Sequence, residues 1–375
     1  MVDVAVIGGG VIGLSVARAL ALRGMRRVML MERAQLGAEA SLAAAGILAP
    51  QAEADNRGAF FDFACQSRDL YPAFADALRE ESGTDIELDK TGTLYLAFTE
   101  QDEEEMRHRL GWQTRAGFAV ELLTGDEARQ MEPGVASGVR GALRFPNDTQ
   151  VNNRRLLAAL ATANEKLGVK LVTGCEVRSI RASRSRVEGV ETSRGFAGAP
   201  VVVLAAGAWS SFIDAPDIRL PQFRIEPVRG QMLCFKTETR LARHVIYSPR
   251  GYLVPRHDGR LLAGSTTEHA GFDKSVTRDG IRAIMTRATE IAPSVAHLPL
   301  VDSWAGLRPR AEDNLPVLGP CAEVTGLFYA TGHYRNGILL APITGELIAE
   351  AITGGVTPTL LEPFTPDRFR LIGVG

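Results

Sequence analysis

The stretch "VAVIGGGVIGLSVARALA", residues 4–21, constrains this chain more than any other. Its first four residues are wholly apolar. They read as a buried parallel strand, because a strand covered on both faces needs no polar alternation. Gly8, Gly10 and Gly13 then form GxGxxG, and Val11, Leu14, Ala17, Ala21 and Leu22 recur at helical spacing until Gly24 ends the helix. "RVMLMER" follows as a second strand ending at Glu32. A strand, glycine turn, helix and strand within about thirty residues make a βαβ unit. The first glycine permits the tight turn, the second lets backbone N–H groups approach a pyrophosphate, and the third lets helix pack on strand. Glu32 stands where a carboxylate accepts hydrogen bonds from both hydroxyls of an adenosine ribose, whereas an arginine there would suit a 2′-phosphate. The pattern points to a dinucleotide and does not choose between NAD and FAD.

The chain has 375 residues, enough for two domains. Lys and Arg total 42 against 44 Asp and Glu, a net charge of −2, so no nucleic-acid footprint is expected. Cys65, Cys175, Cys234 and Cys321 lack CxxC or metal spacing and the six histidines do not cluster, so separate thiols and no metal site are expected. Asp3 and the glycine run stand where a signal peptide would carry basic and apolar regions, and no apolar run approaches the ~20 residues that span a bilayer. The expectation is a cytoplasmic protein that binds a small molecule, assembles as a homo-oligomer and has no membrane partner. The acids Asp102 to Glu105 read as an exposed first helical turn.

The character of the chain changes twice. Buried-strand and helix segments at the N-terminus give way to "FFDFACQSRDLYPAFADALREESG" (helix), "GTLYLAF" (strand) and a charged helix. They resume with "RRLLAALATANEKLG", "VKLVTG" and "VVVLAAG", yield to antiparallel strands such as "GQMLCF", "GYLVP" and "RLLAG", and return at "GLFYAT". The expected fold class is α/β with an α+β second domain: a Rossmann-like domain from 1–54, 149–217 and 317–375, interleaved with a mixed or antiparallel-sheet substrate domain from 55–148 and 218–316. A strand running to Gly207 and another running to Gly332 add further close glycine approaches, which a flavin gripped along its length needs and a nicotinamide does not. A helix expected to start near Leu339, with Pro342 in its first turn, would offer uncapped N–H groups beside Arg335 to an electron-rich guest.

With these stretches assembled, "SLAAAGILAPQAE", "VRGQMLCF", "WAGLRPRAEDNLPVLG", "GHYRNGILLAPITGELIAE" and "NRGAFFDFACQSRDLYPAFADAL" resemble the D-amino-acid oxidase family of FAD-dependent oxidoreductases, most closely its glycine oxidase branch of thiamine biosynthesis. The resemblance runs to about residue 353 of the sequence. It implies non-covalent FAD and oxidation of glycine and other small amines to an imine, which hydrolyses to an oxo acid and ammonia or amine. Dioxygen would then reoxidise the flavin to give peroxide. Sarcosine, broader D-amino acids and a non-oxygen acceptor are the alternatives.

Residue by residue, the resemblance implies that Arg308 clamps the substrate carboxylate, that Tyr252 supports it and that Arg335 is a cation near substrate and flavin. For the cofactor it implies Gly8, Gly10, Val11, Ile12 and Gly13 around the diphosphate, Glu32 and Arg33 beyond them, and Ser41, Ala44, Ala45 and Gly46 along the flavin. Val177 would hold the adenine through its main chain. Ala206, Gly207, Trp209 and Arg308, with Gly332, His333, Tyr334, Arg335, Asn336, Gly337, Ile338 and Leu339, would complete the lining. Thr267 stands where the family has a pocket methionine, and Arg310 where it often has glycine. No acid or histidine in these motifs is offered as a general base. His333, between glycines, reads as structural.

Overall fold

The structure, a computed structural model, describes residues 2–216, 220–221, 223–238 and 240–372. Its first sheet has six strands in the spatial order Val317–Pro320, Leu327–Thr331, Val201–Leu204, Val4–Ile7, Val28–Met31 and Lys170–Val172. Five run parallel, and only the edge strand Val317–Pro320 is antiparallel to its neighbour. Val4, Ala5 and Val6 are completely buried between layers, which is why the strand reads as an unbroken apolar run.

The glycines at its end are set by contact. A Cβ on Gly13 would lie 1.9 Å from the Gly8 carbonyl oxygen, so the helix Val11–Leu22 crosses the strand at a distance that only glycine allows. The same helix packs on the last long helix, Gly337–Gly354, where a Cβ on Gly345 would stand 2.8 Å from the Ser15 carbonyl oxygen. That last helix is apolar and long enough to pass for a membrane span, with mean hydropathy 1.3, yet 67% of it is buried among its neighbours. It is a core helix.

One connection was not legible. Between Lys170–Val172 and Val201–Leu204 the crossover is a three-stranded antiparallel meander, Val177–Ser183, Arg186–Thr192 and Gly195–Gly198. Its short, charged strands give weak periodicity. The second large sheet has eight strands in the order Leu300–Ala311, Ile225–Lys236, Arg260–Gly264, Gly251–Pro255, Val245–Ser248, Thr93–Ala97, Gly141–Phe145 and Glu121–Thr124. Its pairs are antiparallel except Val245–Ser248 with Thr93–Ala97. The acidic run opens the helix Glu100–Arg115, with Thr99 and Asp102 forming a reciprocal capping box.

The last helix starts at Gly337, two residues before the expected Leu339, and Pro342 sits in its second turn. Proline has no N–H to return to the carbonyl four residues back, so the Ile338 carbonyl needs another donor. The Tyr71 hydroxyl, on the helix Ala59–Ser82, donates to it, and the Ser67 hydroxyl donates to the Leu339 carbonyl at 2.6 Å. Two hydroxyls from a neighbouring helix thus allow a proline one turn deeper than propensity predicts. Tyr71 is fully buried. Tyr71→Phe leaves the Ile338 carbonyl unsatisfied and is expected to destabilise the fold by about 1–3 kcal/mol, read as a lower denaturant midpoint; an unchanged midpoint would contradict the assignment.

Candidate active site

A cavity of about 420 Å³ runs along the ends of the parallel strands and between the two large sheets. Of the residues singled out from sequence, Gly8, Gly10, Val11, Ile12, Glu32, Arg33, Ser41, Ala44, Ala45, Gly46, Val177, Ala206, Gly207, Trp209, Tyr252, Arg308, His333, Tyr334, Arg335, Asn336, Gly337 and Ile338 line it. Gly13, Gly332 and Leu339 do not. Gly13 packs helix on strand, a Cβ on Gly332 (φ 74°) would lie 3.3 Å from the Ile225 side chain and 3.4 Å from that of Ala311, and Leu339 is buried in the core.

Two helices begin on the cavity wall. Neither Gly10 nor Asn336, the residues that open them, caps its helix with a side chain, so first-turn N–H groups and the positive ends of two helix dipoles meet the cavity. Near the first, the Ser41 hydroxyl accepts from Val11 N at 3.0 Å. Glu32 is oriented by backbone, one oxygen accepting from Gly9 N at 2.8 Å and the other from Ala34 N at 2.9 Å. Beside it the Arg33 guanidinium lies 3.7 Å from the Trp209 ring centre, and Phe272 bridges Trp209 and Phe212. Gly46 (φ 73°) leaves 2.0 Å between a would-be Cβ and the Val151 carbonyl oxygen, so no side chain fits there.

At the other end stands Arg308, on the strand Leu300–Ala311 and opposite Val228 in register. A Cβ on Gly230 would fall 2.3–2.4 Å from three atoms of the Arg308 guanidinium, so the bare glycine is the seat on which that group lies. Arg308 donates to the Thr266 carbonyl at 3.1 Å and to the Ser265 hydroxyl at 2.7 Å. The nearby acids in sequence are engaged elsewhere: Glu312 accepts from Arg224 N, and Asp313 pairs with Arg368 at 2.7 Å. Among the described residues no carboxylate pairs with Arg308. Tyr252 stacks on Tyr247, with ring centres 5.9 Å apart, and its hydroxyl lies 3.2 Å from the Met232 sulfur.

Arg335 is different. It donates to the Tyr247 hydroxyl at 2.6 Å and reaches Glu53 at 3.5 Å. Glu53 strengthens its cationic form, and burial pushes the Tyr247 phenol up. The cation expected near substrate and flavin is thus part of a charge pair. Glu53 lies at the end of the four-residue helix Pro50–Glu53, whose first N–H groups, Gln51 N and Ala52 N, donate to the buried Asp148 carboxylate at 3.4 and 2.9 Å. Burial pushes Asp148 up to about 7 against the opposing pull of Arg68. A vestibule of about 840 Å³ shares Glu53, Tyr252, Ser265, Tyr334, Arg335 and Asn336 with the cavity, and Thr267 lines this vestibule rather than the cavity itself. Arg310 bonds Asn314 at 2.7 Å and is half-buried, away from the cavity.

Glu53, Tyr247, Gly230, Ser265, Met232 and Phe212 escaped sequence reasoning. Pro50 at a helix start and the glycine inside "VRGQMLCF" were the available signals; the others come together only through tertiary contacts.

The cavity suits a dinucleotide: a carboxylate held by backbone at the second strand's end, two uncapped helix starts, and glycine cradles that a Cβ would fill. The family model described as "FAD dependent oxidoreductase" matches residues 3–351. The chain belongs to this family. Glycine oxidase of Geobacillus kaustophilus is 39% identical over 98% of this chain and 97% of the relative. Glycine oxidase of Pseudomonas aeruginosa is 37% identical over 94% of each. The crystal structure of glycine oxidase from Geobacillus kaustophilus superposes with a TM-score of 0.93, at 38% identity and 98% coverage of both chains.

As an FAD-dependent oxidoreductase, the chain takes FAD as its cofactor, and His333 is the histidine on the cavity wall. It is buried, with Nε2 3.1 Å from the Thr344 hydroxyl, and burial lowers its pKa from 6.5 to about 3. It stays neutral at working pH and cannot act as a titrating base. Below about pH 6.5 the unfolded chain binds a proton that the folded chain refuses until about pH 3, so stability decreases as the pH is lowered through that window. Replacing His333 with Asn is expected to reduce the pH slope of unfolding free energy there by up to about 1.4 kcal/mol per pH unit, measured by denaturant titrations at pH 7 and pH 5. Equal slopes would show that His333 is not held neutral.

Proposed function

We propose that the chain catalyses FAD-dependent oxidative deamination of glycine and other small amines or D-amino acids. The single observation that carries this reading is Arg308, a cavity-facing guanidinium seated on Gly230 and paired with no carboxylate among the described residues. A planar fork of donors held in this way is suited to a substrate carboxylate. Tyr252 lines the same cavity, so its hydroxyl can support the same carboxylate. The names of the relatives, glycine oxidases along almost the whole chain, support the same substrate class.

When bound, FAD supplies the hydride acceptor for the substrate's α-carbon and the route by which electrons reach dioxygen to give hydrogen peroxide. What the chain contributes is orientation. Arg308 and Tyr252 fix the carboxylate, which limits where the α-carbon can point. The start of the helix Gly337–Gly354, with no side-chain cap from Asn336, would favour an electron-rich or anionic group held against it. No residue is required to remove a proton from carbon, since hydride transfer takes the C–H bonding pair whole; burial leaves His333 a weak base, and Glu53 is engaged by Arg335. The amine must be unprotonated to donate hydride, so turnover rises with pH as the substrate loses its proton. The imine leaves to hydrolyse to oxo acid and ammonia, or is available to thiamine thiazole synthesis, as the sequence resemblance implies. The same reading assigns residues 1–54, 149–217 and 317–375 to a cofactor domain and 55–148 and 218–316 to a substrate domain.

A peroxide assay across glycine, sarcosine, D-alanine and D-proline tests the substrate class; no turnover with any of them would overturn it. Arg308→Ala is expected to raise KM by on the order of 100-fold while the purified protein keeps its flavin absorbance. Gly230→Ala pushes a methyl into the seat of the guanidinium and is expected to raise KM with flavin content unchanged. An unaltered KM in both variants would remove the clamp.

A further inference from the structure

The motif "VRGQMLCF" holds more than Gly230. Side chains alternate along a strand, and here Gly230 and Met232 face the cavity while Arg229 and Gln231 lie on the other face, outside it. Both are buried, and both are tied to the segment 265–277 that connects the strand Arg260–Gly264 to the helix Arg278–Ile291. Arg229 donates to Glu268 at 3.1 and 2.5 Å and to Asp273 at 2.6 Å, and its backbone exchanges two hydrogen bonds with Glu268 at 2.9 and 3.0 Å. Gln231 donates through its side chain to Glu268 at 2.8 Å and to Thr277 at 3.0 Å. It also accepts from Thr277 N at 2.8 Å, and its backbone N donates to the Thr266 hydroxyl at 2.9 Å. Gly280 leaves the room: a Cβ there would lie 2.3 Å from the Gln231 amide nitrogen.

The stapled segment begins with the two residues that hold Arg308. The Ser265 hydroxyl and the Thr266 carbonyl accept from its guanidinium. An arginine side chain has rotamer entropy to lose when it is fixed, and no carboxylate among the described residues fixes Arg308. Arg229, by contrast, is satisfied by two acids, so its charge is not available to a ligand. We propose that Arg229 and Gln231 are positioning residues for the Arg308 clamp, acting through the segment 265–277 to present Ser265 and Thr266 as a fixed rest for the guanidinium. This rests on the reading of Arg308 as the carboxylate clamp.

The test uses the FAD-loaded enzyme and two variants, Arg229→Met and Glu268→Gln. Glu268 is partly exposed, so its variant folds even where loss of the buried arginine does not. Two quantities are read beside flavin content and Tm: the separate values of KM and kcat for glycine, and the Kd of acetate, a carboxylate without an amine, from its perturbation of the flavin spectrum. The expected result is a rise of roughly tenfold in both KM and acetate Kd, with kcat within about twofold, full flavin content, and partial recovery in Arg229→Lys. Unchanged KM and acetate Kd in Glu268→Gln, while Arg308→Ala raises both, would overturn the positioning role and leave the clamp standing. A loss of flavin and of kcat with Tm, without a selective loss of acetate affinity, would also overturn it. If Arg308→Ala itself leaves KM and acetate Kd unchanged, the clamp reading falls first, and this inference falls with it.

Discussion

The arrangement around Arg308 depends on a guanidinium placed on a cavity wall and paired with no carboxylate among the described residues. Several arginines of this chain find an acid, while the buried Arg256, like Arg308, is held by neutral acceptors, the Val151 and Ala45 carbonyls among them. Arg229 has Glu268 and Asp273, Arg335 has Glu53, Arg368 has Asp313, and Arg68 has Asp148. Arg308 instead receives a hydroxyl and a carbonyl, acceptors that orient it without neutralising it. A neutral acceptor leaves the full charge available to an anion, whereas an internal carboxylate would have to be displaced at the cost of its own solvation. On the proposed reading, this is what turns a structural arginine into a binding one.

The seat of that arginine shows how much of the site is built by absence. Gly230 makes room for the guanidinium, Gly13 lets the first helix reach the first strand, Gly345 lets the last helix reach the first, and Gly46 lets the chain pass Val151. In each case a backbone atom or a planar group occupies the volume a methyl would need. The two helix starts are brought to one cavity by these close approaches. The last helix keeps its early start because Tyr71 and Ser67 serve the carbonyls that Pro342 disturbs. Packing and electrostatics are thus one construction: the dipoles act on the cavity only because glycines let the helices come close enough.

The βαβ start, the carboxylate at its end, the apolar parallel strands and the helix after Arg335 were all legible in the chain. Their signals are local: period, glycine spacing and end residues recur within about thirty positions. The meander after Val172 was not legible, because short charged strands carry little periodicity. Nor was the early helix start, because its license comes from Tyr71, 267 residues before the Ile338 carbonyl it serves. The role of Arg335 was half legible: its place beside the helix start could be read, but its partner Glu53 lies 282 residues earlier. No spacing rule reaches that far.

The sequence by itself determined the class of fold, the dinucleotide and the residue types that line its site, since these follow from backbone sterics and from patterns within single elements. Tertiary structure alone decided which charges remain free. Whether Arg308 faces Glu312, Asp313 or empty space depends on where Arg224 and Arg368 lie, and whether Arg335 is a lone cation depends on Glu53. The physical reason is that charge pairing is a competition among all groups within a few ångströms. That set of neighbours exists only once the chain has folded.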